Sequence, residues 1–269
     1  MISSIDKLNE LEKWFKNRTS KIIVAFSGGI DSALVVFLAR KFLGKENVLA
    51  IISSSPSLKE KDLTIAINFC NQFDIELKVI KTTEFEDSRY TSNPVNRCYF
   101  CKFNLYDELH NISLLYPESE ILNGQNFDDL SDYRPGSIAA KEFKILHPLA
   151  DCKLSKNDIR EISHYFSLPI WDKPASPCLS SRVPYGSEVT LLKLKQIEEA
   201  ENILNDFGFE DVRVRHFDSI AVIEVPKNQI ADLLKIKDEL STKISSLGFK
   251  QVNIDEEGLV SGKLNRAIA

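Results

Sequence analysis

The chain has 269 residues, of which 43% are hydrophobic and 27% charged, with a net charge of −5 and ten each of Gly and Pro. That balance supports a sizeable core and excludes collagen-like, low-complexity and disordered classes. The acidity argues against a broad nucleic-acid surface, the odd count of five Cys with no signal peptide argues against a secreted disulfide framework, and no apolar run reaches membrane-spanning length.

Taken in chain order, Ile5, Leu8, Leu11, Trp14 and Phe15 fall at helical spacing. Residues 22–26 form a short β-branched run that predicts a buried strand, and it leads directly into Ser27-Gly28-Gly29-Ile30-Asp31-Ser32 and an apolar helix over 33–42. Strands are expected at 48–52 and 77–80, with an amphipathic helix over 58–73 between them. Strand, helix, strand, helix, strand predicts a parallel, doubly wound sheet of α/β class. Residues 87–96 read as a loop, 98–113 as a helix, 120–122 as a strand ending at Asn123-Gly124, and 125–136 as an acidic loop. Ser155 is the expected N-cap of a helix to about Phe166, with Asp158 in its first turn. The irregular stretch 172–187, with three Pro, is expected to be a site loop and a hinge. Beyond it, a helical stripe from Leu191 to Phe207, strands at 212–214 and 220–225, a helix from about Asn228 and a strand at 252–254 predict a small α+β domain. The expected division is therefore 1–186 and 187–269.

The hexapeptide Ser27–Ser32 carries the most chemistry. At a strand-to-helix junction, free backbone amides and the helix dipole favour an anion, and two glycines let the backbone curl around it. Ser27 and Ser32 can donate to phosphate oxygens, and Asp31 can hold Mg²⁺. There is neither a G-x-x-x-x-G-K-[ST] loop nor a G-x-G-x-x-G fingerprint. The residues resemble the SGGxDS signature of the ATP pyrophosphatases, the PP-loop. That resemblance implies an adenine nucleotide alpha hydrolase-like fold and cleavage of ATP to AMP and pyrophosphate, with Ser27, Gly28, Gly29, Asp31 and Ser32 on the nucleotide.

Cys98-x-x-Cys101 opens a predicted helix, where positions three apart share a face, and Cys178 sits in the proline-rich loop. Three thiolates can hold three irons of a 4Fe-4S cluster and leave the fourth iron open to an outside ligand. Zinc held with a His such as His147, a redox pair with a persulfide on Cys178, and unconnected buried thiols are the other readings. Cys70 and Cys152 read as core residues.

Resemblance then extends along nearly the whole chain. Together with residues 25–32, the segments Asp132-Tyr133-Arg134-Pro135-Gly136, Ser180-Ser181-Arg182-Val183-Pro184-Tyr185-Gly186 and Val212-Arg213-Val214-Arg215 are similar to the LarE family of ATP-dependent sulfur transferases, which serve nickel-pincer cofactor synthesis. The resemblance implies that a carboxylate of pyridinium-3,5-biscarboxylic acid mononucleotide is adenylylated and that sulfur then displaces AMP. One branch of the family spends a single Cys; the other uses three Cys and a 4Fe-4S cluster. The CxxC of this chain resembles the cluster branch and implies Cys98, Cys101 and Cys178 as ligands, with catalytic roles shared by Asp31 and Arg182. Arg134, Ser180, Arg182, Arg213 and Arg215 are expected on the substrate, since guanidinium pairs with carboxylate and phosphate. Family resemblance also implies a carboxylate metal site at Glu201, Glu224 and Asp232, competing with ordinary surface charge.

The expected cofactors are ATP, Mg²⁺ and the cluster; the expected partners are a small nucleotide, a sulfide donor and further copies of the chain, in the cytoplasm, with no membrane. Two readings of other kinds stay open: a tRNA-thiolating PP-loop enzyme, disfavoured by the acidic balance, and a non-catalytic ATP-binding module.

Overall fold

A computed structural model describes residues 3–18, 20–131, 134–260, 262, 263 and 266. In chain order the helices and strands are α1 (Ser4–Lys16), β1 (Ile22–Ala25), α2 (Ile30–Leu43), β2 (Val48–Ser53), α3 (Glu60–Gln72), β3 (Glu76–Ile80), α4 (Ser88–Thr91), α5 (Arg97–Ser113), β4 (Glu120–Leu122), α6 (Gly136–Glu142), α7 (Pro148–Asp151), α8 (Lys156–Tyr165), α9 (Leu191–Asp206), β5 (Arg213–Phe217), β6 (Ile220–Glu224), α10 (Ile230–Lys235), α11 (Lys237–Ser245) and β7 (Gln251–Ile254).

They form two compact units, one of residues 1–84 and 98–176, the other of residues 85–97 and 177–269. In the first, a four-stranded parallel sheet runs in the order β3-β2-β1-β4, as the α/β pattern predicts. Alternate residues of its strands feed two cores. Ile22, Val24, Val48, Ala50, Ile52 and Leu122 pack with α1, α2, α3 and α8 on one face. Ile23, Ala25, Leu49, Ile51 and Ile121 pack with α5 and α6 on the other. A sheet buried on both faces explains why its strands read as unbroken apolar runs. From β1 the chain first winds toward β2 and β3, and later returns to place β4 on the other side of β1. The strand order therefore reverses between β1 and β4, where open α/β sheets bind ligands beyond the carboxyl ends of their strands.

The second unit has the mixed sheet β5-β6-β7, antiparallel then parallel, covered on one face by α9, α10 and α11 through Ala200, Leu204, Leu233, Leu240 and Ile244. The sequence cut the chain once, at 186/187; in the structure residues 85–97 and 177–186 go with the C-terminal elements. Asn93 supplies a reason. It is buried at φ +55, a backbone region Asn tolerates, and its amide donates to the carbonyls of Val183, Pro184 and Ser187. Tyr90 Oη and Ser180 Oγ share a buried hydrogen bond of 2.7 Å. Short helix α4 lies in the stretch expected as a loop, α6 and α7 lie where no element was expected, and the helix expected from Asn228 is a 3-10 turn followed by α10 and α11. Among the described residues no helix is long and apolar enough to cross a membrane.

Helix α8 begins with a reciprocal cap between Ser155 and Asp158, as its sequence predicts. The same carboxylate receives Lys7 at 2.6 Å and Ser4 at 2.9 Å, which ties α1 to α8. Burial opposes the charge on Asp158, but the Lys7, Ser155 and Ser4 donors outweigh it and hold the carboxyl down to about 2. A carboxyl depressed in the folded state stabilises the protein above its unfolded value, near 4, and that contribution is lost as pH falls toward 2. Lys7→Met is expected to cost about 1 kcal/mol, a drop of roughly 2–4 °C in Tm at neutral pH, with the difference from wild type vanishing in that acid window; thermal melts across pH check it.

Candidate active site

The turn from β1 into α2 is held by its own side chains. Ser32 Oγ, buried, accepts from the Ser27 N–H at 3.1 Å, donates to the Gly29 carbonyl at 3.1 Å and lies 3.0 Å from Ser27 Oγ. Gly28 takes φ +71, the left-handed region that glycine enters without strain. Gly29 is the N-cap of α2 and gives it no side-chain cap. The buried first turn of a 14-residue helix thus presents backbone amides and the positive end of its dipole at the switch point.

Gly124, two residues beyond the end of β4, closes the other side. A Cβ there would lie 2.5 Å from Ser32 N and 2.8 Å from Ser32 Cα, so only glycine lets this backbone approach the helix end. Asp31 forms an ion pair with Lys156 Nζ at 2.6 Å and accepts from Asn126 Nδ2 at 3.4 Å. Asn126 in turn exchanges hydrogen bonds with Asp129, and Asp129 pairs with Arg134 at 2.7 Å. Burial raises the Asp129 carboxyl. A cleft of about 520 Å³ opens here, lined by Gln125, Asp129, Lys141 and His147 among others. His147 Nδ1 bonds Asn123 Oδ1 at 2.7 Å, and burial lowers its basicity, so the ring is neutral at neutral pH.

Behind the loop, Lys173 Nζ donates to the Gly28 carbonyl at 3.1 Å and pairs with Asp62 at 2.9 Å, while Ser176 donates to the same carboxylate at 2.7 Å. Lys156, Asn126, Gly124, Asp62 and Lys173 all escaped the sequence reading. Only Gly124 left a signal, as part of the Asn-Gly pair after a strand; a lone Lys or Asp carries none.

Cys98 and Cys101 lie one turn apart at the start of α5, the first exposed and the second half-buried. Gly136 packs against this turn: a Cβ on it would meet Lys102 Cγ at 2.9 Å and the Cys98 carbonyl at 3.4 Å. This accounts for the glycine of the segment 132–136, whose Asp132 and Tyr133 lie outside the described residues. Cys178 is exposed in the second unit. Cys70 and Cys152 are buried, and burial pushes their thiols up to about 12 and about 11, which keeps both protonated. Among the described residues, no group of three or more His, Cys, Asp or Glu is placed to hold a metal ion.

In the second unit Arg182 is 1% exposed. Its guanidinium pairs with both oxygens of Glu201, at 2.8 and 3.2 Å, and Nη1 donates to the carbonyls of Pro177 and Cys178 and to Ser181 Oγ. The residue expected on substrate thus binds Glu201 of α9 and atoms of its own loop. Ser180, also expected on substrate, is fully buried against Tyr90, and its carbonyl accepts from Arg97. Arg215 pairs with Glu224 at 2.9 Å and donates to the Ser181 carbonyl, leaving a buried Nε with no partner. Arg213 is half-buried and forms no ion pair among the described residues; burial and then the charges of Arg182 and Arg215 lower its pKa. The carboxylate metal site expected at Glu201, Glu224 and Asp232 is not assembled. The first two already balance Arg182 and Arg215, and Asp232 is exposed beside Lys235.

Comparison with known proteins places this geometry. A family model described as NAD synthase matches residues 7–100, which span the loop and the first three strands. The pyridinium-3,5-bisthiocarboxylic acid mononucleotide synthase of Lactiplantibacillus plantarum is 33% identical over 245 residues, covering 91% of this chain and 89% of that protein. The chain belongs to its family, the LarE family of PP-loop enzymes. Two relatives without an assigned function, slr1717 of Synechocystis (42% identical, covering 97% of this chain and 98% of that protein) and MJ0830 of Methanocaldococcus jannaschii (35%, covering 93% and 94%), extend along the same length. Residues 27–32 thus lie in a chain of a LarE-like, ATP-using PP-loop family.

Gly124→Ala is expected to destabilise the protein by about 1–3 kcal/mol, because the contact is backbone on backbone and cannot be relieved by a rotamer change. Titration calorimetry should show ATP binding lost in the folded variant; unchanged affinity would contradict the packing argument.

Proposed function

We propose that this chain is an ATP-dependent sulfurtransferase that converts carboxylates of pyridinium-3,5-biscarboxylic acid mononucleotide to thiocarboxylates. The observation that carries the reading is a PP-loop in a chain that aligns along nearly its whole length with a synthase named for the bisthiocarboxylic product. A carboxylate is a poor electrophile until one oxygen becomes part of a good leaving group. In the first step its oxygen attacks the α-phosphorus of ATP, forming a carboxyl-adenylate and releasing pyrophosphate. Ser27, Gly28, Gly29 and Ser32 bind the departing anion through hydroxyls and amides, and Asp31, now paired with Lys156, is the carboxylate that would hold Mg²⁺, which would supply positive charge for the pyrophosphate. In the second step hydrosulfide attacks the carbonyl carbon, the C–O bond to AMP breaks, and thiocarboxylate, AMP and a proton result.

Arg213 is the substrate cation this reading favours, since among the described residues it forms no ion pair and the Nε of Arg215, two positions along the same strand face, has no partner. Arg134 stays assigned to substrate; Arg182 and Ser180 serve by shaping the loop that carries Cys178. The chemistry of the thiols supports Cys98, Cys101 and Cys178 as holders of a 4Fe-4S cluster: they are the three that are not fully buried, whereas the other two remain protonated. When bound, such a cluster supplies an open iron that carries a replaceable sulfide, so that no protein sulfur is consumed. A cytoplasmic enzyme, assembled as a homo-oligomer, reloaded by a sulfide donor and using residues 187–269 for substrate binding and assembly, completes the proposal.

Anaerobically reconstituted protein is expected to be brown and to hold about four iron and four acid-labile sulfide per chain. Cys98→Ala should release pyrophosphate at the wild-type rate and yield no more than a single turnover of thiocarboxylate. A colourless protein with stoichiometric zinc, or multiple turnovers by the Cys98 variant, would sink the cluster.

A further inference from the structure

Neither Lys173 nor Asp62 has a part in the chemistry above, yet both meet the pyrophosphate loop from behind. Gly28 is seated on α3: a Cβ on it would lie 3.2 Å from the Asp62 carbonyl and 3.2 Å from Ala66 Cβ. Asp62, in the first turn of α3, is 8% exposed and receives both Lys173 and Ser176. Burial opposes its charge, and the bonds from Ser176 and Lys173 outweigh burial and keep it ionised. The ammonium so held reaches the Gly28 carbonyl at 3.1 Å.

That carbonyl belongs to the Gly28–Gly29 peptide. In a planar trans peptide the carbonyl and the following N–H point in opposite directions, so fixing one fixes the other. Glycine on both sides leaves this plane free to rotate through conformations that other residues forbid. Within the loop itself only one long hydrogen bond acts on this plane, from the Gly29 N–H to Ser27 Oγ at 3.4 Å, so the loop's own side chains hold this peptide weakly.

We propose that Lys173 is a positioning residue for the pyrophosphate loop: anchored by Asp62, its ammonium clamps the Gly28 carbonyl and thereby aims the Gly29 N–H at pyrophosphate. The proposal rests on the ATP-using reading of the loop and not on the sulfur step. Lysine fits the task because one ammonium can donate to a carbonyl and a carboxylate together. Asp62 is required because an ammonium this enclosed needs a counter-charge.

The test is calorimetric binding of inorganic pyrophosphate and of ATP with Mg²⁺, together with melting temperature, for the full chain. Lys173→Met removes the clamp but leaves Asp62 buried without its cation, so Lys173→Met/Asp62→Asn is measured beside it. The double variant is expected to keep its melting temperature within a few degrees of wild type and to bind pyrophosphate at least about tenfold more weakly. Lys173→Arg, which keeps the charge and the donors, should recover most of the affinity. Pyrophosphate binding by the double variant within twofold of wild type would overturn the proposal, as would loss of binding only together with loss of the fold. If the wild-type protein bound neither ligand, the ATP reading would fail and the clamp with it, an outcome distinct from failure of the clamp alone.

Discussion

The amides at the start of α2 have to be satisfied, and beyond a long bond from the Gly29 N–H to Ser27 Oγ, at 3.4 Å, the N-cap residue supplies no side chain to do it. The first turn of that helix is buried, and its N-cap is a glycine. Buried backbone donors without partners are costly, and an anion at a helix N-terminus answers several at once. Much of the first unit can be read as the means of holding this helix end open yet fixed. The sheet places it at the reversal between β1 and β4; Gly28 turns the chain into it; Ser32 ties the turn to itself; Gly124 brings the β4 loop against its amides; and Asp31 is balanced by Lys156 rather than left to repel an anion.

Charge is handled differently in the second unit. Two Arg–Glu pairs are buried there, Arg182 with Glu201 and Arg215 with Glu224. Such pairs add little net stability but are severe to break, so they fix geometry rather than strengthen the fold. Here they fix the loop around Cys178, since both arginines also bind carbonyls of residues 177–181. Arg213, half-buried between them in sequence, has no such partner among the described residues.

Period and motif made much of this legible. Runs of β-branched residues marked β1 and β2, because a doubly covered sheet needs apolar residues on both faces, and Ser155 with Asp158 marked the cap of α8. The SGGxDS turn was legible because glycine and serine act there through local backbone geometry. What stayed hidden depends on residues distant in sequence. Lys173 meets Gly28 across 145 positions, and Lys156 meets Asp31 across 125. Arg182 illustrates the same point: its pairing with Glu201, 19 positions on, left no mark in the sequence. The grouping of residues 85–97 with the C-terminal unit was likewise invisible, since it turns on one Asn amide and three carbonyls.

The central claim is that ATP activates a carboxylate by adenylylation. Substrate labelled with ¹⁸O in its carboxylates, turned over with ATP and sulfide, tests it most directly by mass spectrometry of the nucleotide product. The account predicts that each thiocarboxylate formed leaves one ¹⁸O in the phosphate of AMP. Unlabelled AMP, or ADP and inorganic phosphate in place of AMP and pyrophosphate, would contradict it.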